Sequence, residues 1–225
     1  MSSYAEIVAL VEGSTEKIFI QEIVAPYLAA KAIYMTPIII SKPGQKGGDV
    51  KFARVKNDIG LHLKQRPDTY LTLFVDFYGI KKDWPGYQAA KKQPTATAKA
   101  DKINRATTED VCRLFDECGA PRRFIPYVAM HEFEALLFSE AKILAAQLRV
   151  PVTDINKILR PFPTPEEIND SPNTAPSKRL IALSDRFKKT TTGIAVARAI
   201  GIEKIREVCP LFNAWMTAIE QLREA

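Results

Sequence analysis

The residues best equipped for chemistry are carboxylates in three short clusters. Glu12 and Glu16 bracket Glu-Gly-Ser-Thr-Glu after the apolar run Ala5–Val11. Asp76 follows the apolar run Tyr70–Val75. Glu132 and Glu134 follow a third run, Arg122–Ala129. In a parallel α/β sheet, ligands sit in the crevice beyond the carboxyl ends of the strands. A hard divalent cation needs oxygen ligands, often one or two carboxylates completed by water and phosphate. Carboxylates brought together from separate strand ends would build such a site. Acidic residues after strands also cap helices and favour the positive end of the helix dipole. Any one cluster alone reads that way; three of them, each directly after a strand, point to a metal.

The elements that must position these groups can be read from apolar spacing. Ala5–Val11 predicts a strand, and Gly13 a turn with Ser14 or Thr15 capping a helix. That helix carries Phe19, Ile23 and Tyr27 on one row and Ile20, Val24 and Leu28 on another. Pro37–Ile40 predicts a second strand, followed by a Gly-rich loop over 42–48. A helix is expected over 49–66, a strand over Tyr70–Val75, and a long irregular loop over 79–98. Ala100–Cys118 reads as a helix with Val111, Leu114, Phe115 and Cys118 on one face, Arg122–Ala129 as a fourth strand, and His131–Phe138 as the start of another helix. Strands alternating with helices predict an α/β fold, a mainly parallel sheet covered on both faces. Residues 1–150 form this α/β unit. From about Val150 the chain is helical, broken by Pro161, Pro163, Pro165, Pro172 and Pro176, and residues 151–225 read as a helical C-terminal extension packed on it.

Composition narrows the class. Among 225 residues, 46% are apolar and 26% charged, an ordinary globular mix. No apolar run reaches the roughly 20 residues of a membrane span. The N-terminus shows no secretory leader, and three cysteines without a CxxC pair argue against disulfides and structural zinc. A cytoplasmic protein with no membrane partner is expected. The net charge of +6 fits a polyanionic partner. Lys81, Lys82, Lys91, Lys92, Lys99 and Lys102 lie in and after the 79–98 loop, interleaved with Trp84 and Tyr87. Cations beside aromatic platforms suit exposed nucleic-acid bases; a solvated loop has the same composition. Lys178, Arg179, Lys188 and Lys189 form a second basic group. His131 precedes two acids and is read as a structural or supporting residue.

The motifs also resemble a known family. Val11-Glu-Gly-Ser-Thr-Glu16 is similar to the opening motif of Toprim-fold proteins, and Leu73-Phe-Val-Asp-Phe-Tyr-Gly79 to their Asp-x-Asp motif. With His131-Glu-Phe-Glu-Ala-Leu-Leu-Phe138 and Ala175-Pro-Ser-Lys-Arg-Leu180, the chain resembles a small Toprim-like family related to the nuclease part of overcoming-lysogenization-defect proteins. That resemblance implies a Toprim-like sheet and an endonuclease using Mg²⁺ or Mn²⁺ on DNA or RNA. It implies a place in phage-defence or abortive-infection systems, a partner ABC-type ATPase and a possible homodimer. Glu12 would be the general base or a metal-linked acid, with Glu16 and Lys188 also catalytic. Glu12, Asp76, Glu132 and Glu134 would face the metal. Lys81, Lys82, Lys178, Arg179 and Lys189 would hold nucleic acid. Tyr78 stands where the second Asp of the motif is expected, and a phenol is a poor Mg²⁺ ligand at neutral pH. Asp83 is the nearest acid to compensate. A catalytically silent regulatory or nucleic-acid-binding subunit of an ATPase complex is the alternative.

Overall fold

The computed structural model describes residues 4–41, 50–169 and 171–222. The loop over 42–48 and the helix start at Asp49 lie outside the described residues. Five strands form one sheet: β1 (Ala5–Val11), β2 (Ile33–Ile39), β3 (Tyr70–Asp76), β4 (Phe124–Ile125) and β5 (Val128–Ala129). Their order is β2-β1-β3-β4, with β5 also on β3, and every pairing is parallel. The near-continuous apolar runs of β1 and β3 follow from burial on both faces.

Side-chain alternation divides the core in two. Ile7, Ala9 and Val11 of β1 and Phe74 of β3 pack with α1 (Ser14–Phe19), a π-helical turn (Ile20–Val24), α2 (Ala25–Ala29) and the C-terminal helices. Val8 and Leu10, with Leu71, Leu73 and Val75, pack with α3 (Phe52–Gln65). The β1-to-β2 connection therefore lies on one face and the β2-to-β3 connection on the other. β1 and β3 are neighbours, so the sheet's topological switch point falls between them, where α/β sheets bind ligands.

Several elements differ from the sequence expectation. β2 starts at Ile33 and contains Pro37, tolerated because β2 is an edge strand. Gly13, not Ser14 or Thr15, is the first helix's N-cap, without a side-chain cap. The 79–98 segment contains the short helix α4 (Tyr87–Lys91), and α5 starts earlier than expected (Ala96–Leu114). Leu114 on α5 is exposed. Arg122 and Arg123 belong to a short helix, α6 (Ala120–Arg123), and Pro126 separates β4 from β5, so no continuous fourth strand forms. Phe133–Ser139 is a 3₁₀ helix.

Beyond Ala129 the described residues contain no strand. α7 (Ala141–Leu148), α8 (Val152–Leu159), α9 (Pro176–Leu183), a π-helical turn (Lys189–Gly193), α10 (Ile194–Ile200), α11 (Ile202–Val208) and α12 (Pro210–Gln221) follow. Leu144, Ile155, Leu180, Val196, Ile205 and Ile219 share a buried cluster with β1 and α1. An aromatic group stitches the parts together. Trp215 stacks on Tyr127 at 5.0 Å, and Phe19 lies 4.6 Å from Phe133. Trp215 Nε1 donates to Thr72 Oγ1 on β3 at 2.9 Å.

Two carboxylates, Glu166 buried and Glu167 half-buried, cap helices across long sequence distances. Glu166 accepts from the amides of Leu211 and Phe212 at the start of α12, at 2.8 and 2.9 Å. Glu167 accepts from Ala96 N at the start of α5. Each satisfies donors that a helix start leaves open. Among the described residues no helix is long and apolar enough to cross a membrane.

Truncating Glu166 orphans two amides and leaves a gap. Glu166→Ala is predicted to cost roughly 2–3 kcal/mol and to lower the Tm by ~4–12 °C in a thermal melt. Glu22→Ala, which breaks an exposed pair with Arg198, is predicted to leave the melt nearly unchanged.

Candidate functional site

The sheet register levels the acidic clusters. Val11 pairs with Phe74, and Asp76 with Ala129. Glu12, Asp76 and the 131–134 segment therefore leave the sheet at one edge, around the switch point. Asp76 continues the side of β3 that holds Thr72 and Phe74, so it faces α1 and the Phe133–Ser139 helix. Its Oδ1 accepts from Phe133 N at 2.9 Å.

The cluster is largely buried. Glu16, Asp76 and Glu134 are 8%, 9% and 1% exposed, while Glu12 and Glu132 are half-buried. Glu12 is pressed against the turn after β3: a methyl group added at Gly79 would sit 2.6 Å from its Cδ. Glu132 Oε2 accepts from Ser177 N in the first turn of α9 at 2.9 Å.

Lys189 enters this group. Its Nζ lies 2.9 Å from Glu134 Oε1, an ion pair that misses hydrogen-bond direction, and 3.9 Å from Glu132 Oε1. Glu134 Oε2 has no hydrogen-bond donor among the described residues.

The electrostatics follow from crowding like charges in a dry place. Burial pushes Asp76 well above the ordinary carboxylate range, and Glu16, Glu134, Glu12 and Glu132 push it further. Burial also raises Glu16, opposed by its own amide, with Glu12 adding to the rise. Burial raises Glu134 to about 7 against the pull of Lys189. Burial lowers Lys189, but Glu134, Glu132 and Asp76 outweigh this and hold it above the usual lysine value.

His131 lies beside the cluster, buried. Its ring packs 5.5 Å from Tyr78, and its Nε2 lies 3.5 Å from Lys99 Nζ. Burial, then Lys99, lowers it to about 4, so the imidazole is neutral at pH 7.

Other sequence candidates lie differently. Lys188 is exposed and directly precedes the turn that presents Lys189. Lys82 and Lys178 are exposed, and Lys81 is half-buried. Lys82 follows the Asp76–Gly79 turn, and Lys178 follows the Ser177 amide that binds Glu132. Arg179 donates to Thr174 O at 2.7 Å and lies over the Phe162 ring, so its guanidinium is engaged within the fold. Trp84 is not an open platform: it is 2% exposed, bonds Thr107 and packs on Phe52. Tyr87 stacks on Phe77. Asp83 does not join the cluster; its Oδ2 accepts from Ala53 N at the start of α3.

The residues that could hold a cation are the carboxylates. Glu12, Asp76, Glu132 and Glu134 carry hard oxygen donors on mutually repelling groups, and Glu134 Oε2 is a buried acceptor without a donor. Among the described residues no three His, Cys, Asp or Glu groups already converge as ligands of one ion; Lys189 stands among the carboxylates instead.

The family model for a domain of unknown function (DUF4276) matches residues 11–220. No curated protein and no solved structure matches the chain.

The shifted groups set a pH dependence. Glu134, and Glu166 through burial, are raised from 4.5 to about 7. Between these values the folded chain binds more protons than the unfolded one, so their contribution to stability falls as pH rises. Asp76 and Glu16 act in the same sense. His131, lowered from 6.5 to about 4, opposes them: its contribution is complete above 6.5 and is lost as pH falls. His62, lowered by burial and then by Arg66, opposes them too; the four raised carboxylates outnumber the two lowered imidazoles, so metal-free protein is predicted to melt higher at pH ~6 than at pH ~8. Glu134→Gln should narrow the gap; a wild-type gap of the opposite sign would contradict the charge account.

Proposed function

The chain belongs to the DUF4276 family, and from this site we propose that it is a divalent-metal-dependent nuclease that hydrolyses phosphodiester bonds of DNA or RNA. The observation that carries the reading is Asp76: a buried carboxylate at the switch point, within electrostatic reach of Glu12, Glu16, Glu132 and Glu134. Burying that much like charge is unfavourable to the fold alone, and a divalent cation would relieve it. The Toprim-like reading belongs to the same proposal and rests on Glu12 following β1 and Asp76 ending β3.

Asp76, Glu134, Glu132 and Glu12 would hold Mg²⁺ or Mn²⁺. A bound ion supplies charge to activate water and steady the leaving oxygen. Glu12 accepts the attacking water's proton at a carboxylate oxygen. Glu16, four residues on and buried, would return a proton to the leaving oxygen. Neutral His131 packs on Tyr78 and directly precedes Glu132 in the chain. Lys82, Lys178 and Lys188 are exposed within a few residues of site groups in the chain, and such cations would suit the phosphate backbone of a nucleic acid. The action in a defence system with an ABC-type ATPase belongs to this proposal through the motif resemblance.

A second reading has its own support. Tyr78 packs on His131 and Asp83 caps α3, so neither supplies the second Asp of the motif. A silent regulatory or nucleic-acid-binding subunit would look like this.

A plasmid-nicking assay with Mg²⁺, Mn²⁺ or EDTA separates the readings, repeated with the ATPase and ATP. The nuclease reading expects metal-dependent nicking, reduced at least ~100-fold in Glu12→Ala and Asp76→Asn with melts still cooperative. Gly79→Ala, which displaces the Glu12 carboxylate, should lose ~10-fold or more while its melt stays within a few degrees. No nicking under any condition, or full activity in both acid variants, would overturn it.

A further inference from the structure

Lys189 belongs to the same site, and the inference drawn from it rests on the metal reading above. Its root is fixed. Gly193 N and Thr191 N donate to Lys188 O at 3.0 and 3.3 Å, and Thr192 Oγ1 donates to Arg186 O at 2.8 Å. Gly193 seats the turn on Leu137, in the helix that carries Glu134; a Cβ there would lie 3.5 Å from Leu137 Cδ1. The backbone thus aims Lys189 at the carboxylates, while the side chain, 42% exposed, keeps a route to solvent.

One ammonium serves four carboxylates, Glu134, Glu132, Asp76 and Glu16. It pairs with Glu134 Oε1 and approaches Glu132, leaving Glu134 Oε2 without a donor. A Mg²⁺ ion binds carboxylate oxygen at about 2.1 Å. With Nζ 2.9 Å from the Glu134 oxygen, such an ion on that oxygen would lie within ~5 Å of the ammonium. Two cations that close repel strongly where water is scarce. An ion that engages several of these oxygens at once delivers twice the charge to the same groups.

We propose that Lys189 is the site's built-in counter-ion: it holds the carboxylates together in the metal-free protein and must withdraw before a divalent ion binds. Withdrawal needs only rotamer changes of a flexible four-carbon stem. The displaced ammonium moves toward the rim, where substrate phosphate would receive it. Metal and polyanion therefore favour each other's binding through one side chain, and the metal-free site resists adventitious ions.

The test is Mn²⁺ titration by calorimetry, without nucleic acid, on wild type, Lys189→Met, Lys189→Gln and Lys189→Arg. Removing the like charge should tighten Mn²⁺ binding at least ~10-fold in the Met and Gln variants, whereas Arg should bind no tighter than wild type. Lys189→Gln keeps a donor for Glu134 and serves if the Met variant does not fold. In EDTA the neutral variants should melt below wild type and regain the loss with Mn²⁺. Equal or weaker binding in the neutral variants would overturn the counter-ion role, even with metal-dependent nicking intact. No Mn²⁺ binding by wild type or any variant would overturn the metal reading itself, and this inference with it.

Discussion

Everything at the carboxyl edge of the sheet depends on the repulsion among buried carboxylates. Asp76 cannot leave: β3 pairs through it to Ala129, and its Oδ1 anchors the Phe133 amide. Glu134 directly follows Phe133 and is almost fully enclosed. A fold under selection for stability alone would place such groups in water. Here the chain retains them and sends a lysine from residue 189 to offset part of the charge. Stability traded against a local concentration of charge is how binding and catalytic sites are commonly built.

The helical half makes this edge. Glu132 is held by the first turn of α9, Lys189 arrives on a π-helical turn, and both come from beyond the sheet. Glu166 and Glu167 cap helices from the two halves of the chain, and Trp215 reaches Thr72 across the face that also carries Asp76. The tail thus packs on the groups that carry the site: Trp215 of α12 lies 5.4 Å from Phe74, and Phe212 6.1 Å from Phe19, which packs on Phe133.

Strands β1 and β3 were legible because sheet burial on both faces demands unbroken apolar runs, and the acids after them stood out for the same reason. Less could be read where tertiary contacts decide. The β4–β5 break is a matter of Pro126, whose missing donor splits a run that otherwise reads as one strand. Trp84, set among lysines, looked like an open platform, but its indole found Thr107 on α5, a contact no local pattern announces. Adjacent Lys188 and Lys189 are alike in sequence, and only the π-helical turn determines that Lys189 points inward. The long-range caps by Glu166 and Glu167 were invisible for the same reason: their partners lie 45 and 71 residues away. Among the described residues, Glu12, Glu16, Glu132 and Glu134 all act electrostatically on Asp76, whereas Asp83 is drawn away by a helix start.

The proposal stands or falls on whether these carboxylates bind a divalent ion. The most direct measurement is an anomalous difference map from crystals soaked in Mn²⁺. A peak is expected among Asp76, Glu132 and Glu134, with the Lys189 ammonium displaced from Glu134. A map without a peak there at saturating Mn²⁺, with Lys189 still on Glu134, would contradict it.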